Sequence, residues 1–111
     1  MASLVARIKM YIENNYSKNI NLNVIASHFN MNPCYISLIF KEKTNKNFID
    51  FLTEIRLEKA KSLLVNSGMS IQNVGEMVGY PNPQYFSKVF KKAMGKSANE
   101  YKQLFLINLL G

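Results

Sequence analysis

Apolar residues recur at intervals of three and four along nearly the whole chain, and Gly and Pro fall between these periodic stretches rather than inside them. That periodicity predicts amphipathic helices, and no stretch alternates with the period of two that a strand requires, so the chain reads as all-α. Leu4, Ile8, Tyr11 and Ile12 form the stripe of a first helix, which the polar run 14–19 ends. Asn21 can cap a second helix reaching Phe29, with Leu22, Ile25, Ala26 and Phe29 inward, and Asn30 follows where a left-handed residue is expected. Asn32 and Pro33 supply an N-cap and a first-turn proline for a third helix running to about Thr44. Residues 47–66 read as one long helix whose apolar positions, Phe48, Phe51, Leu52, Ile55, Leu57, Ala60, Leu63 and Leu64, make a stripe wide enough for contact on more than one side. Ser70 caps a short fifth helix that turns at Gly79, and Asn82 with Pro83 opens a sixth. Last, Ser97-Ala-Asn-Glu100 matches a capping box ahead of a terminal helix with Tyr101, Leu104 and Phe105 inward.

The third and sixth helices open with the same words. NPCYISLIFK begins at residue 32 and NPQYFSKVFK at residue 82, sharing N-P-x-Y-[I/F]-S-x-[I/V]-F-K. The repeat extends upstream, where Ile25-Ala26-x-x-Phe29-Asn30 answers Val74-Gly75-x-x-Val78-Gly79. Each unit is therefore helix, turn, helix, with a small residue that permits a close crossing and a turn residue that tolerates positive φ. Two copies are too few for a solenoid. The expected organisation is a first unit over 4–46, a linker helix over 47–66 and a second unit with its terminal helix over 67–111.

In the sixth helix Phe86, Val89, Phe90 and Ala93 follow the spacing of a buried face, which leaves Gln84, Ser87, Lys88 and Lys91 on the opposite one. An amide, a hydroxyl and two cations at helical spacing are side chains that read base edges and phosphates, although an ordinary solvated face has the same composition. In the third helix Ile36, Ile39 and Phe40 are the core positions, leaving Cys34, Ser37, Leu38 and Lys41 presented. Leu38 either touches a thymine methyl or marks a unit that reads sequence poorly. Tyr35 and Tyr85 sit at the border of the two faces, where a ring can pack and still offer its hydroxyl to a phosphate; packing is the expected role. A rigid helix of about 19 residues at ~1.5 Å each spans roughly 28 Å, against ~34 Å between successive major-groove faces. Two reading helices on one such spacer would follow one another along a duplex and select a non-palindromic site.

Charge sharpens this picture. Fourteen Lys and Arg against seven Asp and Glu give a formal charge of +7, which suits a polyanion. The single Cys34 excludes an intramolecular disulfide and a multi-Cys zinc site and fits a reducing compartment, so a cytoplasmic, nucleoid-associated location is expected. The start lacks the apolar core and cleavage site of a signal peptide, and no apolar run spans a bilayer, so no membrane association is expected.

With these residues in view, the chain from about Leu4 to Lys102 resembles the C-terminal DNA-binding domain of AraC/XylS-family transcription regulators. The match is densest in Ser70-Ile71 and in VGEMVGYPNPQYFSKVFKKAMGKSANEYK at 74–102, where Gly, aromatic, cation and cap positions all fall at the family's spacing. RLEKAKSLL at 56–64 resembles the family's linker helix. The resemblance implies seven helices in two tandem, homeodomain-like helix-turn-helix units, binding to double-stranded bacterial promoter DNA, no cofactor, and activation through RNA polymerase. It places base-reading positions on Cys34, Ser37 and Leu38 in the first unit and on Gln84, Tyr85 and Lys88 in the second. Phosphate contacts are expected from Tyr35, Lys41, Ser87, Lys91, Lys92 and Lys96. Gly75 stands where Ala is usual and costs its helix up to ~1 kcal/mol; Ala98 replaces a usual Pro, and Asn45 a common Gly. Many relatives carry an effector or receiver domain ahead of this module, so the chain is expected to be the C-terminal part of a larger regulator.

Two rival classes carry less. An enzyme finds little support: His28 has no obvious Cys, Ser or carboxylate partner, the carboxylates are scattered, and no P-loop, G-x-G-x-x-G turn or HExxH helix is present. A helical protein-interaction module is suggested by the apolar tail Leu104 to Leu110, whose plainer role is to dock on the second unit.

Overall fold

The computed structural model describes residues 3–110, the side chain of Leu110 excepted. Among those residues it holds seven helices and no strand: α1 (Leu4–Asn15), α2 (Leu22–His28), α3 (Pro33–Thr44), α4 (Phe48–Asn66), α5 (Ile71–Met77), α6 (Pro83–Met94) and α7 (Ala98–Leu110). Their starts follow from local hydrogen bonding. Asn21 accepts the Val24 N–H at 2.9 Å, Asn32 the Cys34 N–H at 2.7 Å, and Asn82 the Tyr85 N–H at 3.0 Å. Ser70 accepts from Asn73 at 3.1 Å, Asn47 from Asp50 at 2.8 Å, and Ser97 from Glu100 at 3.1 Å. Each bond satisfies an amide that the helix itself leaves without a partner. Ser3 does the same for α1 through Ala6 at 3.2 Å, a cap beyond those predicted from the sequence.

The chain gathers into two compact units, Met1–Ile55 and Arg56–Gly111, and α4 contributes to both. In the first, Ile8 and Ile12 of α1, Ile20 of the loop before α2, Ile25 and Ala26 of α2, and Ile36 and Phe40 of α3 close over Phe48 and Leu52 of α4. In the second, Leu57, Ala60 and Leu64 of α4 are buried, as are Val74, Val78, Tyr80, Phe86, Phe90 and Ala98. The breadth of the α4 stripe now has a cause. Phe48 and Leu52 lie four apart in the first unit, and Leu57, Ala60 and Leu64 follow at steps of three and four in the second, so each unit buries its own stripe of α4.

The two helix-turn-helix corners are built alike. After α2, Asn30 takes φ 56°, its N–H reaches the Ser27 carbonyl at 3.2 Å, and the Met31 N–H reaches Ala26 at 2.9 Å. After α5, Gly79 takes φ 105°, and the N–H groups of Gly79 and Tyr80 reach Glu76 at 3.3 Å and Gly75 at 2.8 Å. Both are Schellman closures around a left-handed residue. Tyr80 is thus the counterpart of Met31, and Pro81 is one extra residue before the Asn82 cap.

Gly75 is buried at the crossing of α5 and α6. A Cβ there would lie 2.8 Å from Cδ2 and 2.9 Å from Cγ of Phe86. The glycine therefore does more than lower helix propensity: its missing side chain is where Phe86 packs. Two expected inward positions are corrected. Ala93 is exposed although it is in phase with Phe86 and Phe90, because the last turn of α6 runs beyond the packed rings. Leu104 is 43% exposed, while Tyr101 and Phe105 are half-buried; Tyr101 meets Phe90 edge to face at 5.8 Å and so marks the docked side of α7.

Candidate nucleic-acid interface

Burial of one stripe fixes what α3 and α6 present. In α6 the fully buried Phe86 and Phe90 are packed with Tyr80, which stacks on Phe86 at 5.9 Å, and the Phe86 and Phe90 rings meet at 6.0 Å. Rotation by 100° per residue then turns Gln84, Ser87, Lys88 and Lys91 outward, and all four are exposed, as are Lys92 and Tyr85 beside them. In α3 the buried Ile36 and Phe40 leave Cys34, Tyr35, Leu38 and Lys41 exposed, with Leu38 at 66%; Ser37 is half-buried. Lys96 is half-buried and lies in the turn after the left-handed Gly95, off the helical face that carries the other candidates.

The electrostatics of these faces are uncommitted. Lys41, Lys88, Lys91 and Lys92 enter no ion pair among the described residues; Lys46 with Glu54 at 2.6 Å and Lys61 with Glu58 at 3.2 Å pair elsewhere. The first turns of α3 and α6 contain no acid. Cations that are not already neutralised can displace counterions from a phosphate backbone. Tyr35 and Tyr85 are 49% and 56% exposed, so packing uses only part of each ring. Tyr85 has a neighbour in Tyr80, with ring centroids 5.8 Å apart. Tyr35 has no ring contact among the described residues. Tyr80 is not one of the core positions that helical spacing predicts; its signal in the sequence is an aromatic directly after the turn glycine.

Outside these faces the chemistry is sparse. His28 is exposed and its ring lies 4.3 Å from that of Tyr11 and 4.9 Å from that of Phe29, an aromatic cluster with no acid or nucleophile in it. Among the described residues no three His, Cys, Asp or Glu gather in a way that could hold a metal, and no helix is long and apolar enough to cross a membrane.

Comparison with known proteins agrees with this architecture. A helix-turn-helix domain model matches residues 25–104. The lactose operon transcription activator of Staphylococcus xylosus is 34% identical over 98 residues, covering 88% of this chain and 35% of that protein. A regulator encoded in the cgkA 5' region of Pseudoalteromonas carrageenovora is 33% identical over 102 residues, covering 92% of this chain and 60% of its own length. The chain thus spans less than two thirds of the length of these curated relatives. Among solved structures, the C-terminal domain of AraT, a response regulator from Geobacillus stearothermophilus, superposes with a TM-score of 0.90 at 38% identity, covering 93% of this chain and 86% of that one. The DNA-binding domain of AdpA, solved with a target DNA, shares the fold at a TM-score of 0.90 and 18% identity, covering 96% of each chain. These relatives are regulators rather than enzymes. With a domain match over most of its length, seven helices in tandem helix-turn-helix units and two exposed, cation-bearing second helices, this chain belongs to the AraC/XylS family of helix-turn-helix DNA-binding transcription regulators.

Proposed function

We propose that the chain recognises one double-stranded promoter site by laying α3 and α6 in adjacent major-groove segments. Cys34, Ser37 and Leu38 read bases in one box, and Gln84, Tyr85 and Lys88 read them in the other. Tyr35, Lys41, Ser87, Lys91, Lys92 and Lys96 hold the phosphates. The observation that carries this reading is the same capped helix built twice, each copy exposing polar and cationic groups that the fold leaves unpaired. Gln84 supplies a bidentate amide of the type that pairs with adenine, and Lys88 a donor for guanine. Selection of bound duplexes from a random pool at about physiological salt tests it. Two different short boxes about ten base pairs apart are expected. A single box would remove the first unit from sequence reading, and no enrichment would overturn the proposal.

In the cell the module acts in the cytoplasm, at the nucleoid, as part of a longer regulator that activates transcription by touching RNA polymerase. The naming of one relative as an operon activator supports this. Transcription in vitro with purified polymerase, from a promoter carrying the selected site, should rise on adding the full-length protein; an unchanged or lowered yield counts against activation. A second role, as a protein-interaction surface, is favoured by Leu106, Ile107 and Leu109 of α7, which are 47%, 60% and 69% exposed. Analytical ultracentrifugation up to high micromolar concentration decides whether that surface joins two copies, and a constant monomer mass would exclude it.

A further inference from the structure

Tyr80 stands apart from the rest of the turn before α6. Its backbone N–H closes the α5 corner on Gly75 at 2.8 Å, and its ring is buried at 6% exposure. The ring then meets two other rings and a cation, each with a different task. It stacks on the core ring of Phe86 at 5.9 Å with an interplanar angle of 25°, it receives the Arg56 guanidinium over its face at 5.0 Å, and it lies 5.8 Å from the exposed ring of Tyr85. A cation over the face and a stacked ring leave the Tyr80 plane little freedom. Tyr85 is thereby packed against an immobile surface on one side and open to solvent on the other. The corresponding place in the first unit is held by Met31, a flexible thioether that is 40% exposed. The aromatic at the same helical position there, Tyr35, has no ring contact among the described residues.

We propose that Tyr80 is a positioning residue for base reading: it holds the Tyr85 ring in one orientation before DNA arrives, which makes the second unit a pre-ordered reader and the first an adaptable one. The inference rests on the proposal that Tyr85 reads a base. Ordering a side chain in advance removes an entropic cost at binding, and that benefit is collected only on the sequence that fits the held orientation. Tyr80 thus contributes to discrimination without touching DNA.

The test has a variant arm and a wild-type arm. Tyr85→Ala should relax preference at one base pair of the selected site, which identifies the position Tyr85 reads. Tyr80→Leu should lower discrimination at that same base pair by about two- to tenfold, the range an aromatic pair contributes, while preference at the pair read by Gln84 and affinity for scrambled DNA stay within about twofold. Tyr80→Phe keeps the ring and should keep the discrimination. Equal loss at every position would mean that Tyr80 only supports the helix, and overturns the inference. If Tyr85→Ala changes preference nowhere, the base-reading role of Tyr85 fails first, which is distinguishable from a failure of Tyr80 alone. Should Tyr80→Leu not fold, nuclear Overhauser contacts in the free wild-type protein decide the matter: ring contacts between Tyr80 and Tyr85 with a single Tyr85 χ1 rotamer support it, and a rotamer-averaged Tyr85 overturns it.

Discussion

Replacing Gly75 by Ala should destabilise this protein, although alanine is the better helix former. In an exposed helix the exchange gains ~1 kcal/mol. Here the new Cβ would stand 2.8 and 2.9 Å from two carbons of Phe86 and 3.2 Å from the Tyr80 carbonyl oxygen. Favourable carbon contacts begin near ~3.5 Å, so the ring must retreat by more than half an ångström. Phe86 is fully buried between Tyr80 and Phe90, which leaves it nowhere to go without moving a second ring. Overpacking of this kind costs ~1–3 kcal/mol; two ring carbons inside 3.0 Å put this site in the upper part of that range, ~2–3 kcal/mol, and offset by the propensity gain the net loss is about 1–2 kcal/mol. Urea unfolding followed by circular dichroism would measure it as a lower midpoint at unchanged slope. Phe86→Ile in the same background recreates the Ala26 and Ile36 combination of the first unit, and the two changes together should cost at least ~1 kcal/mol less than their sum, since residues in contact couple. A Gly75→Ala protein as stable as the parent, or strict additivity of the pair, would refute the reasoning.

Other expectations concern DNA. Lys88→Ala should cost ~1–3 kcal/mol on the selected site and relax preference at one base pair; an unchanged ratio of cognate to scrambled affinity would remove Lys88 from the readers. Lys92→Ala should weaken all sequences alike and flatten the dependence of log affinity on log salt by about one unit, measurable by fluorescence anisotropy across a salt series. Alkylation of Cys34, exposed at the start of α3, should abolish preference for the first box alone, and bound cognate DNA should slow the reaction; equal rates with and without DNA would place Cys34 outside the interface.

Much of the fold was legible because its helix ends are written in short-range chemistry. Asn21, Asn32, Ser70, Asn82 and Ser97 each bond the amide that a cap should, and Asn30 is left-handed where the pattern placed it. Exposure of the α3 and α6 faces was legible for a related reason: periodicity that buries Ile36 and Phe40, or Phe86 and Phe90, leaves the other side outward. What a pattern of single positions omits is who fills whose space. Gly75 looked like a weak point in a helix until Phe86 was seen against it, and Tyr80 was simply the residue after a turn. Leu104 has the right chemistry for a core and the wrong angle, since Tyr101 and Phe105 mark the docked side of α7.

The caps of α3 and α6 have a further consequence. Aspartate caps a helix about as well as asparagine, and its charge would favour the positive end of the helix dipole. Asn32 and Asn82 are neutral, and no acid follows in either first turn; α1, α2 and α5 share this, whereas α4 and α7 carry Asp50 and Glu100 there. The partial positive charge at the tips of α3 and α6 is therefore left uncancelled by their own first turns. Asparagine thus secures the fold at these two points and leaves the attraction of each helix end for a negatively charged group available to a polyanion, which an aspartate cap would weaken.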